Sequence, residues 1–169
     1  AYYDYSDYAH NSNFDGLAGR NTNLNGDGTL DAKAFKVLDI YNEYCMTLFE
    51  RSATFFSDYA VNLDEQAPYP DGQRNAWGIG IRYGSLKQKG DWQIGYGYYH
   101  IEANAVVGAF NSSDFGLGHS NNRGSEVLLS YQLTDFLMVQ TSGYFFNRIS
   151  DDVRNNEAKR LRVDMTWKV

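Results

Sequence analysis

Apolar and polar side chains alternate along most of this chain with a period of two, the rhythm of an extended strand with one dry face. Eight segments carry it, over about residues 1–8, 34–45, 52–62, 74–84, 91–103, 124–134, 136–147 and 158–169. The pattern is plainest in the second half. Trp77, Ile79, Ile81 and Tyr83 oppose Gly78, Gly80 and Arg82, and Trp92, Ile94, Tyr96 and Tyr98 oppose Gln93, Gly95, Gly97 and Tyr99. Further on, Val127, Leu129, Tyr131 and Leu133 oppose Glu126, Leu128, Ser130 and Gln132. In the last segment Leu161, Val163, Met165 and Trp167 oppose Arg162, Asp164, Thr166 and Lys168.

Most segments run about 10–12 residues, near the roughly 9–11 that a tilted strand needs to cross a hydrocarbon layer. Strands of ordinary domains average only about 5–6. The connections alternate in length: long (9–33), short (46–51), long (63–73), short (85–90), long (104–123), very short at Thr134-Asp135, and long (148–157). One end with long loops and the other with tight turns is the layout of an outer-membrane barrel. A soluble sandwich also alternates, so alternation alone leaves it open. Together, segment length and loop rhythm predict an all-β, antiparallel up-and-down transmembrane β-barrel. The chain reads as one domain over 1–169.

Composition shifts the picture in the same direction. The chain holds 14 Tyr, 10 Phe, 3 Trp and 16 Gly but only 2 Pro, which suits a strand wall. Mean hydropathy is slightly negative, and no run approaches the roughly 20 apolar residues of a membrane-spanning helix. Alternating strands carry a much weaker signal, so neither fact weighs against a barrel. Tyr2, Tyr3, Tyr83, Trp92 and Trp167 are expected near strand ends on the short-turn side, where an aromatic girdle sits at the headgroup level. Any one of them is equally readable as a core aromatic.

A net charge of -6 gives no basic footprint, which argues against a nucleic-acid partner. Cys45 is the sole cysteine, so an intramolecular disulfide and a cysteine zinc cluster are excluded. No leader precedes the strand-like segment at Ala1, which implies either a removed leader or a piece of a longer chain.

One stretch carries a family resemblance. Lys89-Gly90-Asp91-Trp92 leads into Tyr96 to Tyr99, then Ala103 to Phe110, Ser113-Asp114-Phe115-Gly116-Leu117-Gly118 and Asn121-Asn122-Arg123-Gly124. This order resembles the bacterial putative-porin family, with its KGDW-type turn, aromatic strand, SDFGxG loop and N-[KR]-G strand start. The closing segment Arg160 to Trp167 is similar too, and the resemblance runs from about residue 34 onward. It implies an outer-membrane porin passing ions or small hydrophilic solutes, in contact with lipid and open to homo-oligomer formation. Since members are longer, it also implies that this chain is the C-terminal portion of one. The chain departs from outer-membrane barrels in closing on Val169, with Trp167 two residues earlier.

In that frame the chemistry lies on the polar parity. Arg82, Glu126, Gln140, Arg162, Asp164 and Lys168 are the expected pore-lining residues, since rings of fixed charge set which solutes pass. The competing reading is a solvated strand face. Asp39 and Glu43 share a face, but Tyr41 between them leaves its parity ambiguous. Gly78, Gly80, Gly95 and Gly97 are expected to leave space and so to favour a wide lumen.

Asn23, Asn25, Asp27 and Asp31 space oxygen ligands as in a calcium loop, with Gly28 for the turn. Position twelve of that frame is Ala34 instead of Glu, and Asn-Gly and Asp-Gly are ordinary turn formers. Calcium is the single candidate ligand; no other cofactor is expected. Ala105, Val106, Ala109 and Phe110 have helix-like spacing, so 104–123 is either an inward-folded loop or a surface cap. His10, His100 and His119, with Ser112, Ser113 and Ser120, make no nucleophile motif, and no enzyme is expected. The alternative to a porin is a closed eight-stranded barrel serving as a binding or surface-interaction module, because eight strands alone leave no aqueous channel.

Overall fold

A computed structural model describes residues 1–5, 35–64, 73–108, 111–149 and 157–168. Its strands are β1 (Tyr2–Tyr5), β2 (Phe35–Leu48), β3 (Arg51–Asn62), β4 (Asn75–Gly84), β5 (Trp92–Ile101), β6 (Asn122–Gln132), β7 (Leu137–Arg148) and β8 (Ala158–Trp167). They form one antiparallel sheet in chain order, each strand paired with the next. The fold is therefore all-β and up-and-down. Among the described residues the sheet is not closed, since β1 and β8 do not pair.

The ladders carry the period-two pattern across the sheet without a slip. One row joins Tyr44, Phe55, Ile81, Tyr96, Val127, Gly143 and Leu161. The adjacent row joins Glu43, Phe56, Gly80, Gly97, Glu126, Tyr144 and Arg160. Successive side chains point to opposite faces, so these rows define an apolar face and a polar face. A one-residue slip would exchange them, which is why the register is so strongly fixed.

Exposure on the two faces is inverted relative to a water-soluble protein. Leu161 is 73% and Met165 72% exposed on the apolar face, while Ser142 is 0% and Gln132 1% exposed on the polar one. On the apolar face the charged strand residues are Asp4, Lys36, Arg51, Arg123 and Lys159, all within two residues of a strand end. No charged residue occupies the middle of that face in any described strand. A soluble sheet would put such a face against a second layer.

The two-residue β2–β3 connection is tighter than the expected 46–51 loop. Phe49 and Glu50 have φ of 47° and 64°, the left-handed pair that a primed hairpin turn requires. Neither is Gly or Asn, so the sequence carried no turn signal there. The β4–β5 turn is built around Asp91, whose carboxylate accepts from the backbone N–H groups of Lys87 at 2.9 Å and Gln88 at 3.1 Å. Those two amides hold its pKa below the usual carboxylate value. Gly90, at φ 90°, donates to the carbonyl of Gln132 at 2.8 Å, tying this turn to the β6–β7 turn.

Two placements differ from expectation. Tyr2 pairs with Leu38 and Tyr3 with Val37, at the long-loop end of β2, so neither lies at the short-turn side. Tyr3 also points to the polar face, in the row of Val37 and Asn62. No α-helix forms among the described residues of 103–110; the backbone turns at 103–105 instead.

Candidate functional site

The polar face and the β5–β6 loop lying on it form the candidate site. Arg82, Glu126, Gln140, Arg162 and Asp164 all fall on this face, as do Asp39 and Glu43, whose parity the sequence left open. The register brings Glu43, Glu126 and Arg160 into one row, Arg82 and Arg162 into the next, and Gln140 opposite Asp164. Lys168 has the same parity but lies beyond Trp167, past the end of β8. Asn23, Asn25, Asp27 and Asp31 lie outside the described residues. Within those described, no group of three or more His, Cys, Asp or Glu side chains is arranged to hold a metal ion.

Four of the inward glycines do not leave the open space expected of them. A Cβ on Gly78 would come within 2.6 Å of the Tyr99 ring, and one on Gly97 within 2.8 Å of the Tyr99 hydroxyl. At Gly80 it would collide with the Phe56 ring, and at Gly95 it would press on Leu128 at 3.3 Å. The glycines are sites over which larger side chains lie down. Phe56 and Tyr99 stack with centroids 6.4 Å apart, and the guanidinium of Arg82 sits 5.1 Å above the Phe56 ring.

The β5–β6 loop is fixed to this face at two points. Phe115 is buried against Tyr99 (centroids 5.3 Å) and Phe146 (5.6 Å), in a cluster with Tyr144, Ile101 and Ala158. Beside it, Asp114 pairs with Arg160 at 3.2 Å and with Arg162, and Arg160 donates to the carbonyl of Ser113 at 2.7 Å. Arg162 also pairs with Asp164 at 2.7 Å. The loop thus folds onto the polar face and is not a surface cap.

The loop's glycines and asparagines supply the bend this needs. Gly116, Leu117, Gly118 and Asn121 all have positive φ, around a short 3₁₀ turn at Gly116–Gly118. At Gly116 the space a Cβ would fill is taken by the Asn122 amide, 2.6 Å away. That amide donates to the carbonyls of His119 and Ser120, at 3.1 and 2.9 Å. In the sequence Asp114 and Phe115 stand out only as one acidic and one aromatic residue within an SDFG run, a signal that assigns them no role by itself. The Ser120 hydroxyl donates to the Ala103 carbonyl at 2.8 Å, and His100 stacks on Trp77 on the opposite face.

The two larger hollows among the described residues of the polar face differ in character. One, of about 440 Å³, lies between the wall and the loop, bordered by Asp39, Asp58, Tyr3, Tyr99, Val106 and Val107 among others. The other, of about 470 Å³, is a polar trough that brings Glu43, Arg82, Glu126, Gln93 and Gln140 together.

The apolar face carries aromatic rings at both ends of the strands. At the short-turn end Tyr83 meets Trp92 edge-on at 5.9 Å, Arg51 lies 4.7 Å over the Trp92 ring, and Phe136 meets Trp167 at 5.7 Å. At the long-loop end Trp77 packs with Tyr98 and His100, at 5.6 and 5.5 Å. Aliphatic residues such as Ile79, Ile81, Ile94, Val127 and Leu129 lie between the two groups.

A family model described as "Putative porin" matches residues 2–164, so the likeness reaches well before residue 34. Neither a curated protein nor a solved structure matches the chain.

Proposed function

The chain belongs to the putative-porin family, and from that premise we propose that its eight strands form part of the wall of a passive channel in a bacterial outer membrane. The observation that carries this reading is the inverted sheet: charge-free and apolar through the middle of its exposed face, polar and charged on the face its own loop covers. In lipid, Arg or Lys at mid-depth on the outer face costs about 2–4 kcal/mol, whereas a water-filled interior tolerates charge. The aromatic groups at both ends of the apolar face fit two interfacial belts, with Tyr83, Trp92 and Trp167 in the one on the short-turn side. Tyr2 would then belong to the opposite belt.

The wall is larger than these eight strands. An eight-stranded barrel has an interior just wide enough for side chains, yet here an entire loop with Phe115 occupies the polar face. β1 covers only Phe35–Leu38 of β2, and β8 has no partner on its outer side among the described residues. Open strand edges do not persist in hydrocarbon, so further antiparallel strands, from another segment or another copy, complete the barrel. Ions or small hydrophilic solutes pass along the polar face, narrowed by the β5–β6 loop. Arg82, Glu126, Gln140, Arg162 and Asp164 line the path. No catalysis is involved.

Two measurements test this. The folded protein should migrate differently on a denaturing gel before and after boiling, and in planar bilayers it should give discrete conductance steps. Unchanged mobility together with a silent bilayer would remove the proposal.

A further inference from the structure

The polar trough holds opposite charges apart instead of pairing them. Glu43 on β2 and Glu126 on β6 share the row of Phe56 and Gly80, and Arg82 on β4 rises from the same face two residues nearer the short turns. Arg82 thus stands midway, two strands from each carboxylate, which is roughly 10 Å across the sheet at ordinary strand spacing. All three border the same 470 Å³ hollow. No carboxylate lies within ion-pair distance of Arg82 among the described residues. The other charged strand residues of this face border other space. Asp58 is in the row of Gly78, and Asp39 and Arg148 are in the row of Ala76, nearer the long loops. Arg160 and Arg162 are engaged by Asp114, and Arg162 also by Asp164.

The way Arg82 is held leaves it able to bind. Its guanidinium sits 5.1 Å over the Phe56 ring, so an aromatic face carries the cation. The N–H groups lie along the edge of that plane, and among the described residues none donates to a protein acceptor. Such an edge matches a carboxylate, which accepts two parallel N–H bonds from it. The glutamates are oriented by phenols: Tyr41 donates to Glu43 at 2.9 Å and Tyr99 to Glu126 at 3.2 Å. A carboxylate has about four lone-pair sites, so each can also accept from an ammonium group. The amides of Gln93 and Gln140 border the same space.

Resting on the channel reading above, we propose that the trough binds solutes carrying a carboxylate and an ammonium group together, namely amino acids and short peptides. The carboxylate sits on Arg82 and the ammonium group on Glu43 or Glu126. A solute with a carboxylate alone meets two like charges here, and one with an ammonium group alone meets Arg82. A zwitterion finds the matching sign at both ends, and Gln93 and Gln140 suit a peptide amide between them. A contact between unit charges at about 4 Å changes occupancy about fivefold even in water-like surroundings, so the paired contacts give a several-fold advantage over an uncharged solute.

Entry of dilute radiolabelled glycylglycine and N-acetylglycinamide into vesicles bearing the protein tests this. The two solutes are similar in size and neither has net charge, but only the first is a zwitterion. With the unaltered protein glycylglycine should enter several-fold faster. Arg82→Gln should bring the ratio of the two rates close to one, and so should Glu43→Gln combined with Glu126→Gln. High KCl should shrink the ratio in the unaltered protein, a reading that requires no variant to fold. Equal entry of the two solutes, or a preference that survives Arg82→Gln or high KCl, overturns the trough proposal and leaves the channel standing. Entry of neither solute overturns both.

Discussion

Asp114, in the loop after β5, pairs with Arg162 on β8, 48 residues further along the chain. With Arg160 on the same strand it makes a clamp of one carboxylate and two guanidiniums. That clamp crosses the polar face over β6 and β7, so the loop that leaves β5 is held by β8, with two strands between them. Replacing Asp114 with Ala should free the loop without disturbing the wall. Amide exchange at 111–121 should quicken while β6 and β7 keep their protection, and single-channel conductance should rise. Unchanged exchange in the loop would mean that Phe115 alone holds it.

Phe115 is the second anchor, and its loss should have a different signature. Truncating a buried phenylalanine typically costs about 3–5 kcal/mol, and here the cost falls on loop docking. Phe115→Ala should loosen the loop more than Asp114→Ala does, and its effect should persist in high salt. The effect of Asp114→Ala should shrink as salt screens the clamp in the unaltered protein. Exchange rates at low and high ionic strength separate the two.

The faces should respond oppositely to the same substitution. Ile79→Lys, on the apolar face, should destabilise the protein in lipid by roughly 2–4 kcal/mol, whereas Gln140→Lys on the polar face should cost about 1 kcal/mol or less. Urea titrations of the vesicle-inserted protein read both. Equal costs would argue against lipid on the apolar side.

Asp91 predicts a pH effect at the short-turn end. Its folded pKa lies below the unfolded value because two backbone amides donate to the carboxylate. A depressed carboxyl pKa stabilises the fold fully above its unfolded value, and that contribution fades as pH falls through the folded one. Asp91→Asn should therefore flatten the acid limb of the stability–pH curve below about pH 4, with little change in the shape near neutrality. An identical acid limb in both proteins would show that the turn does not depend on this charge.

Much of the sheet was legible because each strand buries one chemistry and exposes the other. The segment read as 74–84 is β4 from Asn75 to Gly84, and the loop rhythm placed every described connection on its correct side. What escaped notice was non-local. Tyr2 looked like a short-turn residue by position in the chain, yet only pairing with Leu38 decides its level, and β1 pairs high. The Phe49-Glu50 turn carries positive φ on residues that do not advertise it. Glycine spacing suggested empty room, because no sequence rule says that Phe56 and Tyr99 will lie across Gly80 and Gly78. The roles of Asp114 and Phe115 depend on residues of β7 and β8 far along the chain, Tyr144, Phe146, Arg160 and Arg162.

The central claim is that the exposed, apolar face of the sheet meets lipid and the opposite face meets water. Nitroxide labels placed singly along β6, from Ser125 to Gln132, with Cys45 replaced by Ser and the protein folded into vesicles, test it most directly. The account predicts that labels at 125, 127, 129 and 131 are relaxed by oxygen, and those at 126, 128, 130 and 132 are reached by a water-soluble nickel complex or shielded by protein. Alternation in the reverse sense, or nickel access at every position, would contradict it.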